Sequence, residues 1–133
     1  MKVIVDTSVW SLALRRKKQQ EDPPVKTLKA LISKGKVALL GAVRQELLSG
    51  IKHQEQFEKL KVSLHAFPNL VLDEGDYETA AEYFNLCRHH GIQGANTDFL
   101  ICASAKRRNY EILTADKDFE NFASYPNASQ NTA

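Results

Sequence analysis

The feature that most constrains the fold is the repeated alternation of short apolar segments with longer segments of helical periodicity. The β-branched run at residues 3–5 predicts a buried first strand, and further strands are predicted at residues 36–40, 69–73 and 111–114. The intervals between them contain apolar residues at the spacing of amphipathic helices. Strands that alternate with helices predict an α/β fold, in which helices cover both faces of a mostly parallel central sheet.

Two of the predicted helices begin with side chains that can cap a helix. Thr7 or Ser8 is expected to cap the first helix, because a side-chain oxygen there can accept a hydrogen bond from a free backbone N–H group. Asn96 or Thr97 is expected to cap a very apolar helix over residues 98–107 in the same way. Both helices are therefore predicted to begin beside an aspartate.

The composition is that of a single globular domain. The chain has 133 residues, of which 43% are hydrophobic and 26% charged, and its formal net charge is +2. This length is sufficient for one hydrophobic core, and the composition disfavours disorder. We expect one domain over residues 1–123 and a flexible C-terminal tail over residues 124–133. The near-neutral net charge singles out no class of partner.

The cysteines and the apolar segments bear on the compartment. The two cysteines, Cys87 and Cys102, lie in apolar helical stretches and form neither a disulfide framework nor a zinc-binding pattern. The first residues become acidic too early for a signal peptide, and no apolar run has the length of a membrane span. We therefore expect a soluble cytoplasmic protein with reduced, buried thiols and no membrane partner.

Acidic residues follow the predicted strands at the positions where chemistry is found in parallel sheets. Asp6 directly follows the first strand, Asp116 and Asp118 follow the last, and Glu46 lies in the first turns of the helix after the second strand. Because the carboxyl ends of parallel strands share one edge, these four side chains are expected to gather there. Asp98 joins them if its helix also begins at that edge.

A cluster of carboxylates at one edge would favour a bound cation. Glu46 lies about 60° from Val43 on the helical wheel, so it is expected at the margin of the core. Like charges raise one another's pKa, and hard divalent cations such as Mg²⁺ or Mn²⁺ prefer oxygen ligands. Two such ions can activate water against a phosphodiester. Each acid also has a structural alternative, since Asp98 and Asp116 suit helix N-termini and Glu46 suits a solvated helix face.

Four segments, in order along the chain, resemble the motifs of PIN-domain nucleases. They are MKVIVDTSVW at residues 1–10, VRQEL at 43–47, TDFLICA at 97–103 and LTADKDF at 113–119. Their order and the total length are similar to those of the VapC toxins of bacterial and archaeal toxin–antitoxin pairs. The resemblance covers nearly the whole chain, and the four acidic positions are intact.

This resemblance implies a three-layer α/β/α PIN-like domain and a Mg²⁺-dependent or Mn²⁺-dependent endoribonuclease that acts as a toxin. It also implies an RNA substrate, a homodimer and a cognate antitoxin that blocks the active-site groove. A metal-bound hydroxide would cleave the RNA in line and leave a 5′-phosphate and a 3′-hydroxyl. The implied metal-binding and catalytic residues are Asp6, Glu46, Asp98 and Asp116, and the implied supporting residues are Ser8, Thr114 and Asp118.

Two basic clusters have a structural and a functional interpretation. Arg15, Arg16, Lys17 and Lys18 form either a solvated surface or a contact with the phosphate backbone of RNA, because they leave the helix that begins at Asp6. The cluster at residues 106–108 lies at the end of a helix, where the helix dipole favours cations.

Two alternatives to a nuclease remain open at this point. One is a non-catalytic PIN-like module that binds RNA or a protein, which the intact acidic set disfavours. The other is a phosphohydrolase that forms an aspartyl-phosphate on Asp6. Those enzymes require a second aspartate two residues further on, where Ser8 stands in this chain.

Overall fold

The computed structural model describes residues 1–15, 22–124 and 131–132. Helices and strands alternate along these residues as the sequence predicts. In chain order the elements are β1 (Val3–Val5), α1 (Thr7–Ala13), α2 (Pro23–Ser33), β2 (Val37–Ala38), α3 (Gly41–Leu48), α4 (Gln54–Leu64), α5 (Glu74–His89), α6 (Asn96–Arg108), β3 (Glu111–Thr114), α7 (Asp118–Ser124) and β4 (Asn131–Thr132).

The sheet is parallel, and β1 lies in its interior. The strand order is β2-β1-β3-β4, and each pair of neighbours runs in the same direction. Val3 pairs with Val37 on one side, and Val5 pairs with Leu113 on the other. All three residues of β1 are buried, because a strand covered on both faces needs apolar side chains at every position. The predicted α/β fold with a mostly parallel sheet is confirmed.

The prediction of a strand at residues 69–73 is wrong. This segment forms a single bridge between Leu39 and Asn69, with one hydrogen bond from the N–H of Leu70 to the carbonyl of Leu39. Its apolar appearance misled the prediction because Val71 is 84% exposed. Asp73 then ends the extended segment by capping α5. The edge strand β4, which was not predicted, pairs with β3.

Both predicted helix caps are placed too late along the chain. Helix α1 begins at Thr7 with Asp6 in the N-cap position, and α6 begins at Asn96 with Ala95 in the N-cap position. The hydroxyl groups of Thr7 and Ser8 donate hydrogen bonds to carboxylates and do not cap the N–H groups of α1. The caps predicted from residue type alone are therefore replaced by contacts between side chains.

Helix α6 lies in the centre of the fold and is apolar over most of its surface. Phe99, Ile101, Cys102 and Ala103 are all at most 1% exposed. The helix packs against α5, α7 and the two central strands, which explains why it lacks an amphipathic pattern. Both cysteines are free and buried, as predicted.

The basic cluster at the end of α6 forms ion pairs with the start of α5. The Asp76 side chain is fully buried, and its two carboxylate oxygens accept hydrogen bonds from Arg108 at 2.7 and 2.8 Å. Arg107 lies 2.6 Å from Asp73 and 2.9 Å from Asp76. Asp73 and Asp76 also exchange side-chain and backbone hydrogen bonds as a capping box. Compensation of the helix dipole is therefore only part of the role of this cluster.

Candidate active site

Asp6 is the most buried acid at the carboxyl edge of the sheet. It directly follows β1, and 4% of its surface is exposed. Its Oδ2 atom accepts hydrogen bonds from the hydroxyl groups of Ser8 at 2.7 Å and Thr114 at 2.9 Å. Two donors on one oxygen stabilise the carboxylate in a place where water is largely excluded.

The two hydroxyl groups connect Asp6 to the loop that follows β3. The Ser8 Oγ atom accepts the N–H of Ala115 at 3.1 Å, and the Thr114 Oγ1 atom accepts the N–H of Asp116 at 2.9 Å. Each hydroxyl has one proton, and both protons are directed to Asp6. The network therefore fixes the end of β1 relative to the end of β3.

Asp116 and Asp118 lie beyond the end of β3. The Asp116 Oδ1 atom accepts the N–H of Asp118 at 2.9 Å, a local turn that leads into α7. Asp116 is partly buried, whereas Asp118 is exposed. One oxygen of Asp116 therefore has a structural role, as the alternative interpretation of this residue proposed.

Asp98 lies in the first turn of α6, and its charge interacts with the other acids. The pKa of Asp98 is raised to about 6, and burial is the main cause. The negative charges of Asp6, Asp116 and Glu46 also raise this pKa. A hydrogen bond from the N–H of Ala95 to Asp98 Oδ2, at 2.8 Å, acts in the opposite direction. Helix α6 thus begins at the carboxyl edge of the sheet, and Asp98 lies within range of the charges of the other three acids.

Glu46 is held in place by a residue that was not predicted as part of the site. The Thr7 hydroxyl donates a hydrogen bond of 2.6 Å to Glu46 Oε1, which joins the start of α1 to α3. The Glu46 side chain is exposed, although we expected it at the margin of the core. Val43 and Leu47 fill the buried face of α3 and leave Glu46 outside it. The run of two hydroxyl residues after Asp6 is the sequence signal for this contact.

The carboxylate oxygens are ligands that a hard divalent cation prefers, but in the structure the four carboxylates do not surround a common point. All four acids offer oxygen ligands, and the raised pKa of Asp98 reflects burial first and then the charges of the other acids, both of which a cation would offset. Within residues 1–15, 22–124 and 131–132, no group of three or more histidine, cysteine, aspartate and glutamate side chains is placed to hold a metal ion. The carboxylates would have to move together to bind one.

The predicted RNA-binding run is described only at its first residue. Arg15 is exposed and lies just beyond the end of α1. Arg16, Lys17 and Lys18 lie outside the described residues. In the part of the chain that the structure describes, no helix is both long enough and apolar enough to cross a membrane.

Comparisons with known proteins agree with the architecture. The chain is similar to VapBC2 of Rickettsia felis, in a complex with a fragment of promoter DNA, at 19% identity and a TM-score of 0.77, covering 100% of this chain and 99% of that chain. It is similar to FitAcB of Neisseria gonorrhoeae at 24% identity and a TM-score of 0.73, covering 96% and 95%. VapBC-1 of nontypeable Haemophilus influenzae gives 15% identity and a TM-score of 0.75, covering 99% and 98%.

These structures establish the fold, and a sequence-family match goes further. The comparison with curated protein sequences gives no significant match. The family model described as PIN domain matches residues 3–125, a span that contains Asp6, Glu46, Asp98 and Asp116. The chain therefore belongs to the PIN domain family.

Proposed function

We propose that this protein is a Mg²⁺-dependent or Mn²⁺-dependent endoribonuclease and the toxin of a toxin–antitoxin pair. The observation that carries the proposal is the placement of four carboxylates at one edge of the sheet, where burial first, and then the charges of the other three acids, raise the pKa of Asp98 to about 6. Membership of the PIN domain family supports a nuclease. Structural similarity to VapBC-5 of Mycobacterium tuberculosis, a member of the VapBC family of toxin–antitoxin systems, supports the toxin role.

Asp6, Glu46, Asp98 and Asp116 would hold the divalent cation. When bound, such an ion lowers the pKa of water and stabilises negative charge on the phosphate that is cleaved. Asp6 is oriented by its two hydroxyl donors. Asp98 is kept in position by the N–H of Ala95. Hydrolysis of the RNA is expected to leave a 5′-phosphate and a 3′-hydroxyl.

Three hydroxyl residues position the carboxylates without taking part in bond cleavage. Ser8 and Thr114 join Asp6 to the loop that carries Asp116. Thr7 holds the exposed Glu46 against the start of α1. Such supporting hydrogen bonds typically change metal affinity or activity by about 10-fold to 100-fold. We assign no role in catalysis to Asp118, whose N–H group supports Asp116.

The partners in this proposal are RNA, an antitoxin and a second copy of the chain, in the cytoplasm. An apolar face on α5 supports the homodimer. Tyr77 is 57% exposed there. Tyr77 also borders a cavity of about 410 Å³ with Phe84 and Leu100. A homodimer is expected in light scattering after gel filtration, and a monomer at all concentrations would contradict this part of the proposal.

The test of the proposed function is incubation of the purified protein with RNA in Mg²⁺, in Mn²⁺ and in EDTA. We expect cleavage with either metal and none in EDTA. The ends of the products, read by phosphatase and ligase treatment, should be a 5′-phosphate and a 3′-hydroxyl. Absence of cleavage on every structured and single-stranded RNA, with each metal, would contradict the enzyme and favour a non-catalytic binding module.

Thr7→Val is expected to reduce RNA cleavage about 10-fold and to leave the melting temperature unchanged within about 2 °C. Valine has nearly the shape of threonine but cannot donate the hydrogen bond to Glu46. Thr27→Val is the matched control, because the Thr27 hydroxyl binds a backbone carbonyl on the exposed surface of α2. Equal cleavage by Thr7→Val and Thr27→Val would show that the contact with Glu46 has no role in the reaction.

Asp98→Asn is expected to stabilise the metal-free protein at pH 8 by roughly 2 kcal/mol. The pKa of Asp98 is about 6 in the folded chain, above its ordinary value near 4. The folded state therefore loses stability as the pH rises from about 4 through 6, and asparagine removes this loss. Asparagine can still accept the N–H of Ala95.

Thermal unfolding of this variant in EDTA at pH 4 and pH 8 checks the prediction. The gain in melting temperature should be present at pH 8 and nearly absent at pH 4, where Asp98 is protonated in the folded chain and only about half ionised in the unfolded chain. Asp22→Asn, which removes a carboxylate beside α2, is the control and should not gain stability. A lower melting temperature for Asp98→Asn at pH 8 would contradict the cost of a buried charge at this position.

A further inference from the structure

A groove leads away from Glu46 between α1, α3 and α4. Its volume is about 620 Å³, and Glu46 is one of the residues that line it. Residues from the end of α1, from α3 and from α4 form its walls. The groove is therefore continuous with the edge of the sheet where the acids converge.

Two cationic side chains, those of Arg15 and Lys59, line this groove. Arg15 is exposed at the end of α1, and Lys59 projects from α4. Lys59 lies 3.6 Å from Glu55, and these side chains are 77% and 84% exposed. An ion pair this exposed contributes little, so Lys59 can exchange Glu55 for another anion.

The rest of the lining suits a chain that is charged on one side and apolar on the other. Ser11, Gln56 and Ser63 offer hydroxyl and amide groups along the walls. Leu14 and Leu60 offer an apolar surface, and Leu14 is 50% exposed. Single-stranded nucleic acid has this chemistry, with phosphates on its backbone and apolar faces on its bases.

We propose that this groove holds the single-stranded RNA next to the phosphodiester that is cleaved, with Arg15 and Lys59 as contacts to the neighbouring phosphates. The inference rests on the proposed function, because it assumes that the phosphate to be cleaved lies at the four acids, one of which, Glu46, also lines the groove. The charge of the groove favours RNA as the occupant, since two cations line a path that begins at a site for phosphodiester hydrolysis. A protein segment in the same groove is the competing outcome of the test.

The test measures binding separately from cleavage. A fluorescein-labelled 12-nucleotide single-stranded RNA is titrated with protein in Mg²⁺, and its anisotropy is followed at several salt concentrations. Every protein in this experiment carries Asp98→Asn so that the RNA stays intact. Arg15→Ala/Lys59→Ala should weaken binding roughly 5-fold to 20-fold and reduce the slope of log affinity against log salt by about 1.4.

The control variant removes the same charge from the opposite edge of the sheet. Lys34 and Lys36 are exposed, and Lys36 directly precedes β2. Lys34→Ala/Lys36→Ala should keep the affinity and the salt slope of the parent. Gln56→Lys, which adds a cation to the groove, should make the slope steeper by about 0.7.

Three results would overturn the inference. Unchanged affinity and slope in Arg15→Ala/Lys59→Ala would show that RNA does not follow this groove and would favour a protein segment as its occupant. Equal losses in both double variants would show that only the overall charge matters. A shallower slope for Gln56→Lys would contradict a phosphate path. Failure of the proposed function is distinguishable, because the unmodified protein would then cleave no RNA in any metal.

Discussion

Asp6→Asn is expected to lower the rate of RNA cleavage in saturating Mg²⁺ by at least about 1,000-fold while the protein remains folded. The substitution removes one negative charge from the most buried acid of the site. Asparagine still offers one oxygen, which can accept the hydrogen bonds from Ser8 and Thr114. The fold should therefore be preserved, and the loss should be confined to metal binding and catalysis.

Single-turnover cleavage and thermal unfolding, measured on the same samples, check this result. Asp98→Asn should show the same loss of cleavage, because it removes a second carboxylate of the set. Asp22→Asn is the control for the loss of one acid elsewhere and should cleave RNA at the parent rate. Cleavage by both site variants at near the parent rate would show that the metal site lies in another part of the protein.

Asp76→Asn is expected to destabilise the protein by about 3 kcal/mol at pH 7, which makes it the most destabilising of the substitutions proposed here. The Asp76 side chain is fully buried and receives two hydrogen bonds from Arg108. Loss of its charge leaves Arg108 partly buried without its bidentate partner. Because this cluster joins the start of α5 to the end of α6, the effect is on folding and not on the acids of the site.

The effect of Asp76 should depend on pH in a defined direction. The hydrogen bonds from Arg108 hold the pKa of Asp76 well below its ordinary value. The stabilisation is therefore present above the pKa of the unfolded chain, about 4, and is lost as the pH falls below it. In urea unfolding, the difference between the parent and Asp76→Asn should be large at pH 7 and smaller at pH 3.

Asp73→Asn provides the matched control for this prediction. Asp73 lies in the same cluster, but its side chain is 66% exposed. Asparagine is as good an N-cap as aspartate, so this variant should lose less than about 1 kcal/mol. Equal destabilisation by Asp73→Asn and Asp76→Asn would show that burial of Asp76 is not the source of the effect.

The alternation of strand and helix patterns was sufficient to predict a parallel sheet with three of its four strands, and the edge that Asp6 and Asp116 follow. Val3–Val5 is apolar at every position, and only a strand covered on both faces requires that. The segment at residues 69–73 has a similar apolar appearance and forms a single bridge. Periodicity over five residues does not distinguish a buried strand from an extended connection with Val71 in solvent.

The contacts that organise the site were less predictable than the acids themselves. Thr7 and Ser8 are both candidates for a helix cap by residue type, because a hydroxyl group can bind a backbone N–H. In the folded chain they bind Glu46 and Asp6, respectively. The contact of Thr7 depends on α3 approaching α1, between residues far apart in the chain, whereas Ser8 and Asp6 are only two residues apart.

The sequence by itself determined the parallel α/β architecture, the order of the four acidic motifs and their common edge, because strand direction and motif position follow from local pattern and topology. The tertiary structure decided how the acids are held. It directed the Thr7 hydroxyl to Glu46, converged two hydroxyl groups on one oxygen of Asp6 and joined α6 to α5 through Arg108 and Asp76. These are contacts between side chains brought together only by packing, and local sequence patterns carry no information about such distances.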